Sequence, residues 1–215
     1  MSISVLVADD HAIIRDGLRK ILADTQDLIV AGEACDGNAA LEQVRSRNWD
    51  MMLMDLSMPG RHGIELIRLV KAERPKLPIL IFSMHPEEQF AVRSIRAGAS
   101  GYLSKESDSN LLVPAIRKVA SGGVFISPRV AELLATAISP RFDSMPHTQL
   151  SDREFEIFGE IVRGTSLTDI AAKLSLSIKT VSTHKSNIFA KMNLTSNVDL
   201  FRYAVEHELL DLTRE

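Results

Sequence analysis

Ile3-Ser4-Val5-Leu6-Val7-Ala8-Asp9-Asp10 is a short apolar run that ends on two adjacent carboxylates. Runs this short, bounded by polar residues, suit buried strands better than helices. The figure recurs at Ile29–Ala34, at Met51–Met54 before Asp55, at Ile79–Phe82 before Ser83, and at Gly101–Leu103 before Ser104-Lys105. Amphipathic stretches lie between the runs. Ile14, Leu18, Ile21 and Leu22 fall at i, i+4, i+7 and i+8, and Leu111, Leu112, Ala115, Ile116 and Val119 repeat the stripe. Parallel neighbours need a crossover helix, so five strands alternating with five helices predict an α/β, doubly wound, five-stranded parallel sheet.

That pattern stops after Gly122-Gly123, and the rest reads as short helices and turns. Ser139–His147 carries two prolines and little periodicity, as an interdomain linker would. Ser151-Asp152-Arg153-Glu154 offers a capping box at a helix start. The expected organisation is residues 1–122 as the α/β domain, 123–146 as a linker with a short helix, and 147–215 as a small all-α domain. Composition agrees with two small globular domains: 215 residues, 45% hydrophobic and 25% charged, exclude a wholly disordered or collagenous chain. A net charge of −3 excludes a protein that is basic throughout, so any DNA binding must be local. Cys35 is the sole cysteine, which excludes an internal disulfide and zinc-finger spacings. Neither a signal peptide nor an apolar run of about 18 residues is present, so the expected compartment is the cytoplasm, with no membrane partner.

In an open parallel sheet, ligands bind beyond the carboxyl ends of the strands. Strand 1 ends in Asp9-Asp10, strand 3 in Asp55 and strand 4 in Ser83, while strand 5 runs into Lys105. Three carboxylates in one pocket repel, so either one stays protonated or a cation sits among them. A shallow, all-oxygen site suits Mg²⁺, and a lysine and a hydroxyl nearby suit phosphoryl oxygens. Each residue alone has an ordinary explanation: Asp9-Asp10 as a helix cap, Asp55 as a turn residue, Lys105 as a solvated loop residue. Their joint occurrence at strand ends 1, 3, 4 and 5 favours a site.

Asp9-Asp10, Asp55-Leu56-Ser57-Met58-Pro59 with Gly63, Ser83, and Gly101-Tyr102-Leu103-Ser104-Lys105 resemble a bacterial response-regulator receiver domain, a flavodoxin-like fold, over about residues 3–121. The resemblance implies that Asp55 accepts a phosphoryl group from a histidine kinase's phosphohistidine. It implies that Asp10, Asp55 and the Ser57 carbonyl bind Mg²⁺, with Asp9 helping through water. Ser83 and Lys105 would each bond a phosphoryl oxygen, and Tyr102 would be the switch aromatic, unless it merely fills the sheet. Glu106 departs from the proline that many receivers carry after the lysine. Met51, Met52, Met54, Met58 and Trp49 read as packing, Cys35 as idle or packed, and His62 and His85 as surface residues without a ligand partner.

Leu167–Val181 reads as two short helices and a tight turn, with Ile170, Leu174 and Val181 buried and the small Ala171 allowing close approach. The second helix, Ser177–Met192, has an apolar stripe of Val181, Ile188 and Met192 and a polar face of Lys179, Ser182, Thr183 and Ser186. Ile170–Val198 holds four lysines (173, 179, 185 and 191) and no acid, a local charge of +4. Together with Leu150–Glu154, Gly164, Asp169-Ile170-Ala171 and Ser177–His184, this resembles the LuxR-type helix-turn-helix of NarL/FixJ response regulators over roughly 147–212. The resemblance implies that the second helix enters the major groove as part of a dimer. Ser182, Thr183 and Ser186 would then face bases, and Lys179, Lys185 and Thr180 phosphates. The last helix, about Asn197–Leu209 with Phe201 and Val205 on one face, would dimerise or else pack on its own domain.

The expected function is a phosphorylation-dependent transcriptional regulator of a two-component system, not an enzyme. Its expected partners are a histidine kinase, promoter DNA and a second copy upon phosphorylation, with RNA polymerase a further candidate. One rival is an aspartyl-nucleophile phosphatase, but Ser57 stands where such enzymes carry a second Asp. The other is a receiver used only for protein interaction, against which the acid-free helix-turn-helix counts.

Overall fold

The structure, a computed structural model, describes residues 2–59, 63–137, 145–174, 176–207 and 209. His62 and residues 138–144 of the expected linker lie outside them. The chain divides into two compact units, Met1–Ala135 and Thr136–Glu215. Among the described residues no helix is long and apolar enough to cross a membrane.

The first unit is built from β1 (Ile3–Ala8), α1 (Ala12–Ala23), β2 (Leu28–Ala34), α2 (Gly37–Ser46), β3 (Met51–Met54), α3 (Gly63–Glu73), β4 (Ile79–Ser83), α4 (Glu87–Arg96), β5 (Gly101–Ser104) and α5 (Leu112–Ala120). The five strands are parallel, as the alternation predicts, and stand in the order β2-β1-β3-β4-β5. Alternate side chains leave the sheet on opposite sides. Val5, Val7, Met51, Leu53, Leu80 and Leu103 join Leu18 and Leu22 of α1 and Leu112, Ala115, Ile116 and Val119 of α5 in one buried cluster. Met51, Met52, Met54 and Met58 are all buried, which bears out their reading as packing.

The sheet's β5 edge is covered by the chain beyond α5. Gly101 bridges Phe125, the Tyr102 amide donates to the Phe125 carbonyl at 2.9 Å, and the Phe125 amide returns a bond to the Ser100 carbonyl. A Cβ at Gly101 would sit 2.6 Å from that Phe125 oxygen, so the close approach needs glycine. A helix, α6 (Pro128–Ala137), follows.

The second unit holds α7 (Asp152–Val162), α8 (Leu167–Lys173), α9 (Ile178–Met192) and α10 (Asn197–Glu206). Serines 151, 166, 177 and 196 cap the four N-termini, and the capping box read at Ser151 and Glu154 is present in both directions. Ile170, Val181, Ile188, Met192, Leu200 and Ala204 are buried, and Leu174 is half-buried.

Trp49, just ahead of β3, reaches across to β2. Its Nε1 donates to the Gln43 carbonyl at 2.8 Å, and the Arg47 guanidinium lies 3.9 Å over its ring. A Cβ at Gly32 would fall 2.2 Å from the Trp49 ring, which is held from both sides. Gly32→Ala should therefore overpack this corner and destabilise the α/β unit by about 1–3 kcal/mol. Urea unfolding followed by the fluorescence of Trp49, the sole tryptophan, measures it. An unchanged midpoint would show that the indole swings away freely.

Candidate functional site: an acidic pocket and a basic helix

β1 and β3 are neighbours, and the Asp55 amide donates to the Ala8 carbonyl at 2.8 Å, so the ends of both strands lie side by side. Asp9 and Asp55 are 2% and 3% exposed. The Lys105 ammonium, carried past the end of β5, lies 2.6 Å from Asp9 Oδ2 and 2.7 Å from Asp55 Oδ2. Burial by itself would push this lysine down, but the Asp55 charge and the hydrogen bonds to Asp55 and Asp9 outweigh it and hold its pKa above the ordinary value. The structure thus brings together Asp9, Asp55, Lys105 and, through β4, the fully buried Ser83.

The remaining oxygens are unevenly served. Asp9 Oδ1 accepts from the His11 amide at 2.9 Å, and Asp55 Oδ1 from the Ser57 amide at 3.3 Å. Asp10 Oδ1 is buried and accepts no hydrogen bond, and its one ion-pair partner among the described residues is His11 Nδ1 at 2.9 Å. One ligand atom each from Asp9, Asp10, His11 and Asp55 lie within 4.8 Å of one another. An orphaned carboxylate oxygen within such a cluster fits a hard divalent cation.

Three side chains at the pocket escape sequence reasoning. His85, expected at the surface, is half-buried at the pocket's rim: its Nε2 lies 3.0 Å from Ser57 Oγ, and its ring stacks on Phe90. Its amide donates to Ser83 Oγ at 3.4 Å, and its carbonyl accepts from the Tyr102 hydroxyl at 2.9 Å. Tyr102 is 1% exposed, so the residue expected to switch stands inward. Arg15 on α1 donates to the Asp9 carbonyl at 2.8 Å and to Glu33 at 3.1 Å, tying the carboxylate loop to β2. His11 is the third, and only its place directly after Asp9-Asp10 could have drawn attention to it.

On α9, Lys179, Ser182, Thr183 and Ser186 are exposed, and Thr180 and Lys185 are half-buried. The four lysines of the acid-free stretch are not equivalent. Lys173 lies 2.8 Å from Glu160 and Lys191 lies 2.6 Å from Glu154, two buried acids of α7, leaving Lys179 and Lys185 outside the ion pairs found among the described residues. Burial would raise both glutamates, but for Glu160 the hydrogen bonds from Lys173 and Arg163, and for Glu154 those from Lys191 and Ser151, hold the carboxyls below their usual range. On α10, Val198, Phe201 and Val205 are 68%, 44% and 37% exposed, so that face does not pack into its own unit.

Comparison with known proteins matches a family model of the response regulator receiver domain to residues 5–117, and one of the bacterial regulatory proteins, luxR family, to residues 148–204. The chain is 38% identical over 210 residues to the response regulator GacA of Pseudomonas aeruginosa, covering 97% of this chain and 98% of the relative. It is 36% identical over 208 residues to the response regulator UvrY of Escherichia coli, covering 96% and 95%. Among solved structures it resembles RcsB from Salmonella enterica serovar Typhimurium bound to promoter rprA in the presence of phosphomimetic BeF3⁻. The TM-score there is 0.63 at 27% identity, over 94% of this chain and 98% of that one. A structure of two RcsB dimers bound to two parallel DNAs matches with a TM-score of 0.59 at 28% identity, covering 95% and 98%.

The depressed carboxyls of Glu154 and Glu160 set a direction for the helical unit. A carboxyl held low in the folded state contributes stability above its unfolded value, about 4.3, and that stability is lost as pH falls through the folded value. Amide protection factors in α7 and α9, which correct for the slower intrinsic exchange in acid, should therefore fall on acidification below about pH 5, and Glu160→Gln should flatten the response. Protection factors in these helices that ignore pH across that window would refute the pairing.

Proposed function

The chain belongs to the response-regulator family, a receiver domain followed by a DNA-binding domain of the LuxR family, and we propose that phosphorylation of Asp55 controls how its helical unit binds promoter DNA. The observation that supports this most is the clamp of Lys105 on both Asp9 and Asp55, at the sheet edge where Ser83 also ends its strand.

In this reading an Asp55 carboxylate oxygen attacks the phosphorus of a kinase phosphohistidine. The P–N bond breaks and its electron pair returns to the imidazole. Lys105 neutralises one phosphoryl oxygen, and Ser83, whose oxygen already accepts from the His85 amide, donates its proton to another. Asp10, Asp55 and the Ser57 carbonyl would hold Mg²⁺, with Asp9 acting through water, and Asp10 Oδ1, buried and without a hydrogen bond, would be one of its ligands. The bound ion supplies charge neutralisation between the carboxylates and the phosphoryl group. Tyr102, hydrogen-bonded to the residue two positions after Ser83, is placed to sense rearrangement of that loop.

In the helical unit α9 enters the major groove, with Ser182, Thr183 and Ser186 toward bases and Lys179, Lys185 and Thr180 toward phosphates. The exposed Val198, Phe201 and Val205 of α10 supply an apolar face for a second copy, so phosphorylation favours a dimer on paired half-sites. RcsB, a similar protein, is described as dimers on DNA.

With acetyl phosphate and Mg²⁺ the parent protein should take one label that Asp55→Asn lacks and chelation suppresses. Labelling of the Asn variant at the parent's level would overturn the assignment.

The lysines separate in the same way. Lys179→Ala and Lys185→Ala should weaken specific and random DNA alike and reduce the salt slope by about one phosphate contact each. Lys173→Ala, which loses only its Glu160 pair, should leave that slope unchanged. Gel-shift titrations across salt concentrations decide it, and equal slopes for all three variants would defeat the face assignment.

A further inference from the structure

The reading face of α9 is chemically one-sided. Thr183 donates its hydroxyl proton to the Lys179 carbonyl at 3.0 Å, and Ser186 donates its own to the Ser182 carbonyl at 3.1 Å. Hydroxyls spent on the preceding turn present lone pairs outward, so these two offer acceptors to whatever lies opposite. The first residue of the helix is Ile178, 52% exposed, just after the Ser177 cap. Among the described residues of α9 it is the only large apolar side chain more than half exposed; Val181, Ile188 and Met192 are buried. A single exposed isoleucine is unremarkable by itself. Its place decides the matter: Ile178, Ser182 and Ser186 follow at i, i+4 and i+8, one ridge of the helix, and the N-terminal turn of a recognition helix contacts base edges.

In the major groove an A·T pair offers both an amino donor, adenine N6, and an apolar group, the thymine C5-methyl. A G·C pair likewise offers one amino donor and two acceptors but no methyl, so the methyl is the group that separates the two pairs for an apolar side chain. We propose that Ile178 is a base-reading residue that packs on a thymine methyl, and that the half-site carries an A·T pair opposite the first turn of α9. This rests on the reading that α9 lies in the major groove.

The test starts by selecting sites from random DNA with the phosphorylated full-length protein, then titrating the selected site with each thymine replaced in turn by deoxyuracil, which lacks only the methyl. At one position per half-site the parent should lose about fourfold in affinity, the worth of one buried carbon. Ile178→Ala should bind the thymine and deoxyuracil sites alike, Ile178→Val should keep most of the discrimination, and all three proteins should share one salt slope. An Ile178→Ala variant that still prefers thymine, or a parent indifferent to every replacement, overturns the inference while leaving DNA binding intact. Selection that enriches no site at all overturns the major-groove reading beneath it.

Discussion

Lys105 places one buried positive charge against two buried carboxylates, and a third, Asp10, stands half-buried beside them. Removing charges from water costs several kcal/mol per ion unless partners compensate. Here compensation is incomplete by at least one charge, and Asp10 Oδ1 has no hydrogen bond to soften it. The sheet edge therefore carries an excess of acidic groups, which suits a divalent cation. In the proposed reaction a phosphoryl group, which brings further negative charge, would need such an ion and Lys105 beside it. The fold exists to hold this imbalance steady. The β2-β1-β3-β4-β5 order sets Asp9 beside Asp55 and brings Ser83 and Lys105 to the same rim, with apolar cores on either side that cannot relax to dilute the charge.

Much of this is legible in the sequence because parallel topology turns chain order into spatial order. Once Ile3–Ala8 and Met51–Met54 are read as strands running the same way, the polar residues just past them must share an edge. Nothing comparable announces His85. Its contact to Ser57 joins two loops 28 residues apart, and neither the spacing nor the residue types around it carry a period. Arg15 is hidden for a different reason: it sits on a helix face where an arginine reads as solvated, yet it reaches back to the Asp9 carbonyl. Strand ends follow from periodicity, whereas contacts between loops depend on coordinates.

The helical unit shows the same division at the level of charge. Counting lysines between Ile170 and Val198 overstates the charge available to DNA, because α7 packs two acids beneath that stretch. Glu154 serves twice, closing the capping box on the Ser151 amide and taking Lys191 at 2.6 Å. Glu160 likewise collects Arg163 and Lys173. Two lysines thus secure the packing of α8 and α9 on α7, and the other two are the ones that the proposed reading sets toward phosphates. Such subtraction narrows a diffuse basic stretch to a few positions, which favours a fixed register on the duplex over general attraction.

His85 ties the rim of the pocket together within its own unit. Its side chain meets Ser57 beside the carboxylate of β3, its amide meets Ser83 at the end of β4, and its carbonyl meets Tyr102 on β5. Three strand ends therefore report to one residue. Each of these bonds is worth about 1 kcal/mol net, small beside the charges they surround. A phosphoryl group on Asp55 that drew Ser83 inward would pull the His85 amide with it, and the Tyr102 hydroxyl would have to follow or lose its acceptor. Strong charges at the pocket and weak bonds at its rim are the arrangement in which a local chemical event moves a loop without unfolding the sheet.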